Sequence, residues 1–242
     1  MSKPLQEWKA IKKPEELLRA AQREFGSGLK LACSFSPEDI VIIEMLCEKG
    51  PADATVFAID TGRLPEETYE VAEEVRRRYG IAIEWFYPDR DKVETLERTK
   101  GLFSFRESLD NRHECCGIRK VEPLRRALEG ASAWITGRRQ EQSVTRFGLD
   151  PVEEDNDRAG VLKFNPLASW TSREVWEVVR GRNLPYNKLH DRGYPSIGCA
   201  PCTRAVAVWD DERAGRWWWE NPESKECGLH VASGGRERGR MI

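Results

Sequence analysis

The sequence predicts an α/β protein: a mostly parallel twisted sheet flanked by helices, followed by a flexible C-terminal tail. Three observations point that way. Apolar segments with strand patterning alternate with amphipathic helical ones, the turns between them are short and rich in Ser, Pro, Asp and Gly, and their spacing suits βαβ units.

Each element has its own justification. Leu29, Leu31, Cys33 and Phe35 alternate with smaller or polar residues and read as a first strand. Ser36-Pro37-Glu38-Asp39 then opens a helix, with Ser36 as N-cap, Pro37 in the first turn and two acids at the positive helix end. That helix carries Ile40, Ile43 and Cys47 on one face. Ala54 to Ile59 is a second strand, apolar enough to be buried on both sides. Asp60-Thr61-Gly62 turns the chain, and Pro65 starts a helix whose apolar residues fall at Tyr69, Ala72, Val75 and Tyr79. Three arginines and Gly80 close it. Ile81 to Tyr87 is a third strand. Helical segments follow over Lys92 to Lys100, Leu102 to Leu109 and Ile118 to Glu129, then a fourth strand over Ala131 to Thr136. Glu153 to Asp157 reads as a solvated acidic loop, and Val161 to Phe164 as a short strand. Thr171-Ser172-Arg173-Glu174 is a capping box that opens a helix through Val179. Beyond Gly181 the chain turns loop-rich, and Gly234 to Arg240 reads as a mobile tail.

Composition narrows the function. Lys+Arg number 39 and Asp+Glu 41, a formal charge of −2, which excludes a generally basic nucleic-acid surface. No apolar run approaches the ~20 residues of a membrane span, and the first residues lack a signal-peptide core. A cytoplasmic protein is expected, bound to neither nucleic acid nor membrane, and a homo-oligomer is compatible with the sequence. The seven cysteines, an odd number, are poor material for a disulfide framework. Cys33 and Cys47 sit in apolar segments as small core hydrophobes.

The chemistry concentrates at strand ends and sulfur. In a doubly wound sheet, ligands sit beyond the carboxyl ends of strands, which singles out Ser34 to Asp39 and Asp60 to Arg63. Backbone N–H groups of the Ser36–Asp39 turn are candidates to hold a phosphate, although such turns are also ordinary helix caps. Adjacent Cys115 and Cys116, with the C-x-x-C of Cys199 and Cys202, offer four thiolates for a tetrahedral zinc or an iron–sulfur cluster. A directly adjacent pair is awkward for zinc; a vicinal disulfide or four unrelated buried thiols are the bland readings.

These residues also carry a resemblance. The stretches Ser34-Phe35-Ser36-Pro37-Glu38-Asp39, Asp60-Thr61-Gly62-Arg63 and Cys115-Cys116-x-x-Arg119-Lys120-Val121-x-Pro123-Leu124 stand in one order. Thr136-Gly137-Arg138-Arg139-x-x-x-Ser143-Val144-Thr145-Arg146, Asn165-Pro166-Leu167, Leu189 to Arg204 and Lys225-Glu226-Cys227-Gly228-Leu229-His230 continue it. Together they resemble the assimilatory adenylyl-sulfate (APS) reductases, the iron–sulfur branch of the phosphoadenylyl-sulfate (PAPS) reductase family, over nearly the whole chain.

The resemblance implies an adenine nucleotide alpha hydrolase-like fold, with a nucleotide-binding and iron–sulfur reductase domain over residues 1–216 and a C-terminal segment over 217–242. It implies a [4Fe–4S] cluster on Cys115, Cys116, Cys199 and Cys202, and reduction of APS to sulfite and AMP with thioredoxin as electron donor. Cys227 is the implied nucleophile, forming an S-sulfocysteine, and His230 is implied among the substrate-binding residues. Lys120, Arg213 and Arg216 are implied at the anionic end of APS, the two arginines sharing a helix face at i,i+3. Arg138, Arg139 and Arg146 form the implied arginine loop, and Ser34, Ser36, Asp39, Asp60 and Gly62 the nucleotide end. Related ATP pyrophosphatases carry a Ser-Gly-Gly-x-Asp-Ser loop; Phe35, Ser36 and Pro37 replace its glycines here, which disfavours ATP cleavage. A PAPS reductase, a cluster-dependent tRNA thiolase and a non-catalytic metal module are the alternatives. The missing glycines and the net charge count against the thiolase. Trp217-Trp218-Trp219, read as helical, cannot share one face, so at least one indole is expected partly exposed, available to a thioredoxin.

Overall fold

A computed structural model describes residues 3–48, 50, 52–142 and 148–221. Two helices precede the first expected strand: α1 (Leu5–Ala10) and α2 (Pro14–Phe25). Neither is among the expected elements, yet α2 buries Leu17, Leu18, Ala20 and Ala21 against the main core. Then come β1 (Leu29–Cys33), α3 (Pro37–Cys47), β2 (Thr55–Ile59), α4 (Glu66–Tyr79) and β3 (Ile83–Phe86), as the βαβ pattern predicts. The middle holds α5 (Arg90–Lys100), α6 (Leu109–Cys116), a π-helical turn over Gly117–Val121, and α7 (Glu122–Ala127). β4 (Ala133–Ile135), β5 (Val152–Glu154), β6 (Leu162–Phe164) and α8 (Ser172–Gly181) complete the regular elements.

The six strands lie in the order β3-β2-β1-β4-β6-β5, parallel except for β5, which runs antiparallel to β6. β5 is a correction: part of the expected acidic loop is an edge strand, with Val152 inside the core and Glu154 outside. From β1 the chain winds outward through β2 and β3, then returns to β4 on the other side of β1. The strand order therefore reverses between β1 and β4, the place where open α/β sheets bind ligands.

α3 is buried nearly all round, with Pro37 to Ile43 sealed. Its start matches the expected cap and is a full capping box: Ser36 Oγ accepts from the Asp39 N–H, and the Asp39 carboxylate accepts from the Ser36 N–H. Thr171 and Glu174 do the same for α8. The expected tail over Gly234 to Arg240 lies outside the described residues. Residues 182–221 form turns and short 3-10 pieces, as the loop-rich composition implies. Among the described residues no helix is long and apolar enough to cross a membrane.

Candidate active site

At the reversal between β1 and β4 lies a cavity of about 230 Å³. Its floor is Cys33 to Asp39 after β1 and Thr136 to Arg138 after β4; Lys120, Arg213 and Arg216 line it too. Two backbones converge here. A Cβ on Gly137 would stand 2.4 Å from Asp39 Oδ1 and 2.9 Å from Glu38 Cβ, so only glycine lets the end of β4 pass this close to α3.

The Ser34–Asp39 turn is a closed unit rather than an anion cradle. Asp39 Oδ2 accepts from the Ser34 N–H and Oγ at 2.8 Å each and from the Ser36 N–H at 3.3 Å. The Asp39 N–H goes to Ser36 Oγ, and Pro37 has no N–H. Of the donors expected to hold a phosphate at this turn, the Ser36 N–H serves the Asp39 carboxylate and the Asp39 N–H serves Ser36 Oγ. Burial pushes the Asp39 carboxyl up to about 6, with the Ser34 hydrogen bonds pulling it down. Phe35 sits at φ 60°, the left-handed region glycine favours, so the loop keeps a glycine-like backbone without the glycine. Burial of its ring, 5.6 Å from that of Trp85, holds it there.

A second cavity adjoins the first. Cys115, Cys116, Cys199 and Cys202 all line it, ringed by Arg63, Arg112, Arg119, Lys120 and Arg216. The π-turn after Cys116 lets Arg119 and Lys120 diverge. Arg119 donates to the Thr61 carbonyl at 2.7 Å and to Glu97 at 2.5 Å, whereas Lys120 lines both cavities. Burial pushes the Cys202 thiol up to about 12 and also raises Cys115, against the pull of Arg119 and Arg63. Thr61 Oγ1 lies 3.2 Å from Cys199 Sγ. Among the described residues no three His, Cys, Asp or Glu side chains converge on a single metal-ion position; the four thiols surround a space instead.

Comparison with known proteins decides the family. The model of the phosphoadenosine phosphosulfate reductase domain matches residues 28–205. The chain belongs to the phosphoadenosine phosphosulfate reductase family. Within it, the chain is 51% identical over 215 residues to the adenosine 5'-phosphosulfate reductase of Allochromatium vinosum, covering 89% of this chain and 83% of that protein. It is 49% identical over 205 residues to the protein of that name from Burkholderia cepacia, covering 85% and 81%. The crystal structure of phosphoadenylyl-sulfate reductase from Candida auris superposes with a TM-score of 0.69 at 27% identity, covering 85% of this chain and 99% of that one.

Within this reductase fold, the expected site residues divide. Ser34, Ser36, Asp39, Lys120, Arg138, Arg213 and Arg216 line the first cavity, and the four paired cysteines the second. Asp60 and Gly62 do not line it; Asp60 accepts from the Gly62 N–H at 2.7 Å and the Tyr69 hydroxyl at 2.9 Å, shaping the turn after β2. Arg139, implied as a substrate contact, is 1% exposed and held by Glu38, Glu141 and Glu212. Its guanidinium is already satisfied by protein carboxylates. Arg213 and Arg216 share the cavity but not a helix: the segment is a run of turns, with Arg216 bridged to Thr203. Trp217 likewise sits in that run at φ 40°, sealed inside the body, while Trp218 and Trp219 are half-buried; Trp209 is the outward indole. Trp217 packs with Leu96, Phe105, Cys115 and Cys202. Arg146, Cys227 and His230 lie outside the described residues. Thr61 and Arg119 shape the site although neither carries an expected role. The signal for them is position, within Asp60-Thr61-Gly62-Arg63 and beside Lys120.

Proposed function

We propose that this chain reduces adenylyl sulfate to sulfite and AMP, with a thioredoxin-type dithiol as electron donor, in cytoplasmic sulfate assimilation. The observation that carries this reading is the common wall of the two cavities: Thr61, Lys120, Cys199, Arg216 and Trp217 line both. A cavity of about 230 Å³ over the sheet's reversal point thereby meets a cationic, sulfur-lined one. The names of the relatives, adenosine 5'-phosphosulfate reductases, support the same substrate.

The adenosine end faces the Ser34–Asp39 turn, where the Ser34 and Ser36 N–H groups are taken by the Asp39 carboxylate. The phosphosulfate turns instead to Lys120, Arg213 and Arg216, where charge-assisted hydrogen bonds hold it. The four thiols suit a [4Fe–4S] cluster: sulfur-only ligands lining one small cavity, inside a ring of cations that balances an anionic centre. Such a cluster supplies a polarisable, redox-capable group beside the anion.

The sulfur chemistry falls to Cys227. Its thiolate attacks the sulfate sulfur, the S–O bond to the phosphate breaks, and AMP departs with that electron pair. A thiolate of the dithiol then attacks the Cys227 sulfur and sulfite leaves with the S–S pair. The donor's second thiol resolves the mixed disulfide, so two electrons reach the sulfur.

Sulfite release from adenylyl sulfate and from phosphoadenylyl sulfate, side by side with reduced thioredoxin, tests the reading, with adenylyl sulfate expected to be preferred. Without the dithiol, the peptide holding Cys227 should gain about 80 Da, the mass of SO₃. Sulfite production by Cys227→Ser would overturn the mechanism.

A further inference from the structure

Arg213 and Arg216 lie on a run of turns, which by itself holds side chains loosely. Two ion pairs, each with a buried arginine, bracket that run. Ahead of it, Glu212 receives Arg139 Nη2 at 3.1 and 3.2 Å; behind it, Glu220 receives Arg112 through two bonds of 2.9 Å. Both arginines are sealed, Arg139 at 1% exposed and Arg112 at 0%. Each belongs to a different part of the body. Arg139 is fixed to Glu38, in the first turn of α3, at 2.6 Å, while Arg112 stands on α6, the helix that presents Cys115 and Cys116. Between the pins the guanidinium carbons of Arg112, Arg213 and Arg216 gather round the Trp217 ring at 4.7, 5.8 and 4.8 Å.

We propose that Glu212–Arg139 and Glu220–Arg112 are positioning pins that hold the Glu212–Glu220 strap, so that Arg213 and Arg216 reach the cavity already ordered. The inference rests on the reading of those two arginines as the anion clamp. Glu212 itself lines the cavity, which makes its charge a sharp test. A carboxylate acting only as part of the wall repels a phosphosulfate, so neutralising it would tighten binding. A pin has the opposite sign: neutralising it loosens the Glu212 end of the strap, next to Arg213 and ahead of the Arg216–Thr203 bridge, and weakens binding.

The experiment is calorimetric titration of the anaerobically prepared full chain with adenylyl sulfate. Glu212→Gln should bind about tenfold more weakly, because displaced guanidinium groups give up part of a charge-assisted hydrogen bond to the anion. Glu141→Gln is the control. Glu141 also holds Arg139, at 3.1 Å, but is half exposed and does not belong to the strap. It should leave affinity within about twofold of wild type. Arg139 keeps two carboxylates in either variant, so both should fold, with equal melting temperatures and visible absorbance. Unchanged or tighter binding by Glu212→Gln, or equal weakening in both variants, overturns the pin. Arg213→Ala with Arg216→Ala separates the two readings. If that double variant binds like wild type, the clamp fails and the pin with it; if it weakens while Glu212→Gln does not, the pin alone fails.

Discussion

Gly198→Ala should act at a distance of one guanidinium. A Cβ at Gly198 would stand 2.2 Å from Arg216 Nη2 and 2.5 Å from its Cζ. Ordinary contact needs about 3.5 Å, so the guanidinium must retreat by roughly 1 Å. It has little room to do so while keeping its place: Arg216 Nη1 donates to the Ile197 carbonyl at 3.2 Å, and the Trp217 ring covers it at 4.8 Å. Because the clashing atoms are the end of a long side chain, the fold should yield there rather than in the backbone, at a stability cost of about 1 kcal/mol. Losing a charge-assisted hydrogen bond to substrate is worth roughly 1.5–3 kcal/mol, or about 10- to 150-fold in affinity. The assay is a double-mutant cycle: adenylyl sulfate binding by wild type, Gly198→Ala, Arg216→Ala and the pair, each with its visible absorbance as a check on the neighbouring Cys199. In the Arg216→Ala background, adding Gly198→Ala should change affinity by less than about twofold. Wild-type affinity in Gly198→Ala, or a loss that simply adds to that of Arg216→Ala, would refute the reasoning.

Gly137→Ala meets anchored atoms instead, Asp39 Oδ1 and Glu38 Cβ, so it should cost about 1–3 kcal/mol of stability, read as a lower urea midpoint at constant m. Asp39 should leave a pH signature on folding. Its folded carboxyl is raised to about 6, so its contribution to stability is complete below its ordinary 3.8 and is lost as pH rises through about 6. Asp39→Asn should therefore flatten the stability curve between pH ~4 and ~7 by roughly 3 kcal/mol, and parallel curves for the two proteins would contradict that origin. Cys199→Ser should remove visible colour and sulfite release together; a colourless wild type holding one zinc with full activity would argue against the cluster.

The sequence by itself determined much of the local architecture, though not α1, α2 or α6, and its expected helix over Leu102 to Leu109 is only a 3-10 turn at Ser104–Arg106. Strand patterning, Ser36 and Thr171 as caps, and the βαβ rhythm placed β1 to β4, α3, α4 and α8 because each depends on neighbours a few residues away. It also singled out the paired cysteines and Lys120, because motif residues keep their spacing in the chain. What it left undetermined depends on contacts between distant segments. The edge strand β5 exists because β6 pairs with it, although Glu153-Glu154-Asp155 reads as a solvated run. Arg139 reads like any arginine of a basic loop. Only the tertiary structure brings Glu38 and Glu212 against it, 101 and 73 residues away, and turns it from a candidate ligand into a buried anchor. Likewise Arg213 and Arg216 reach the cavity from turns rather than a helix face. Nothing in their i,i+3 spacing sets that orientation; the pairing of Arg216 with Thr203 and the ion pairs at either end do.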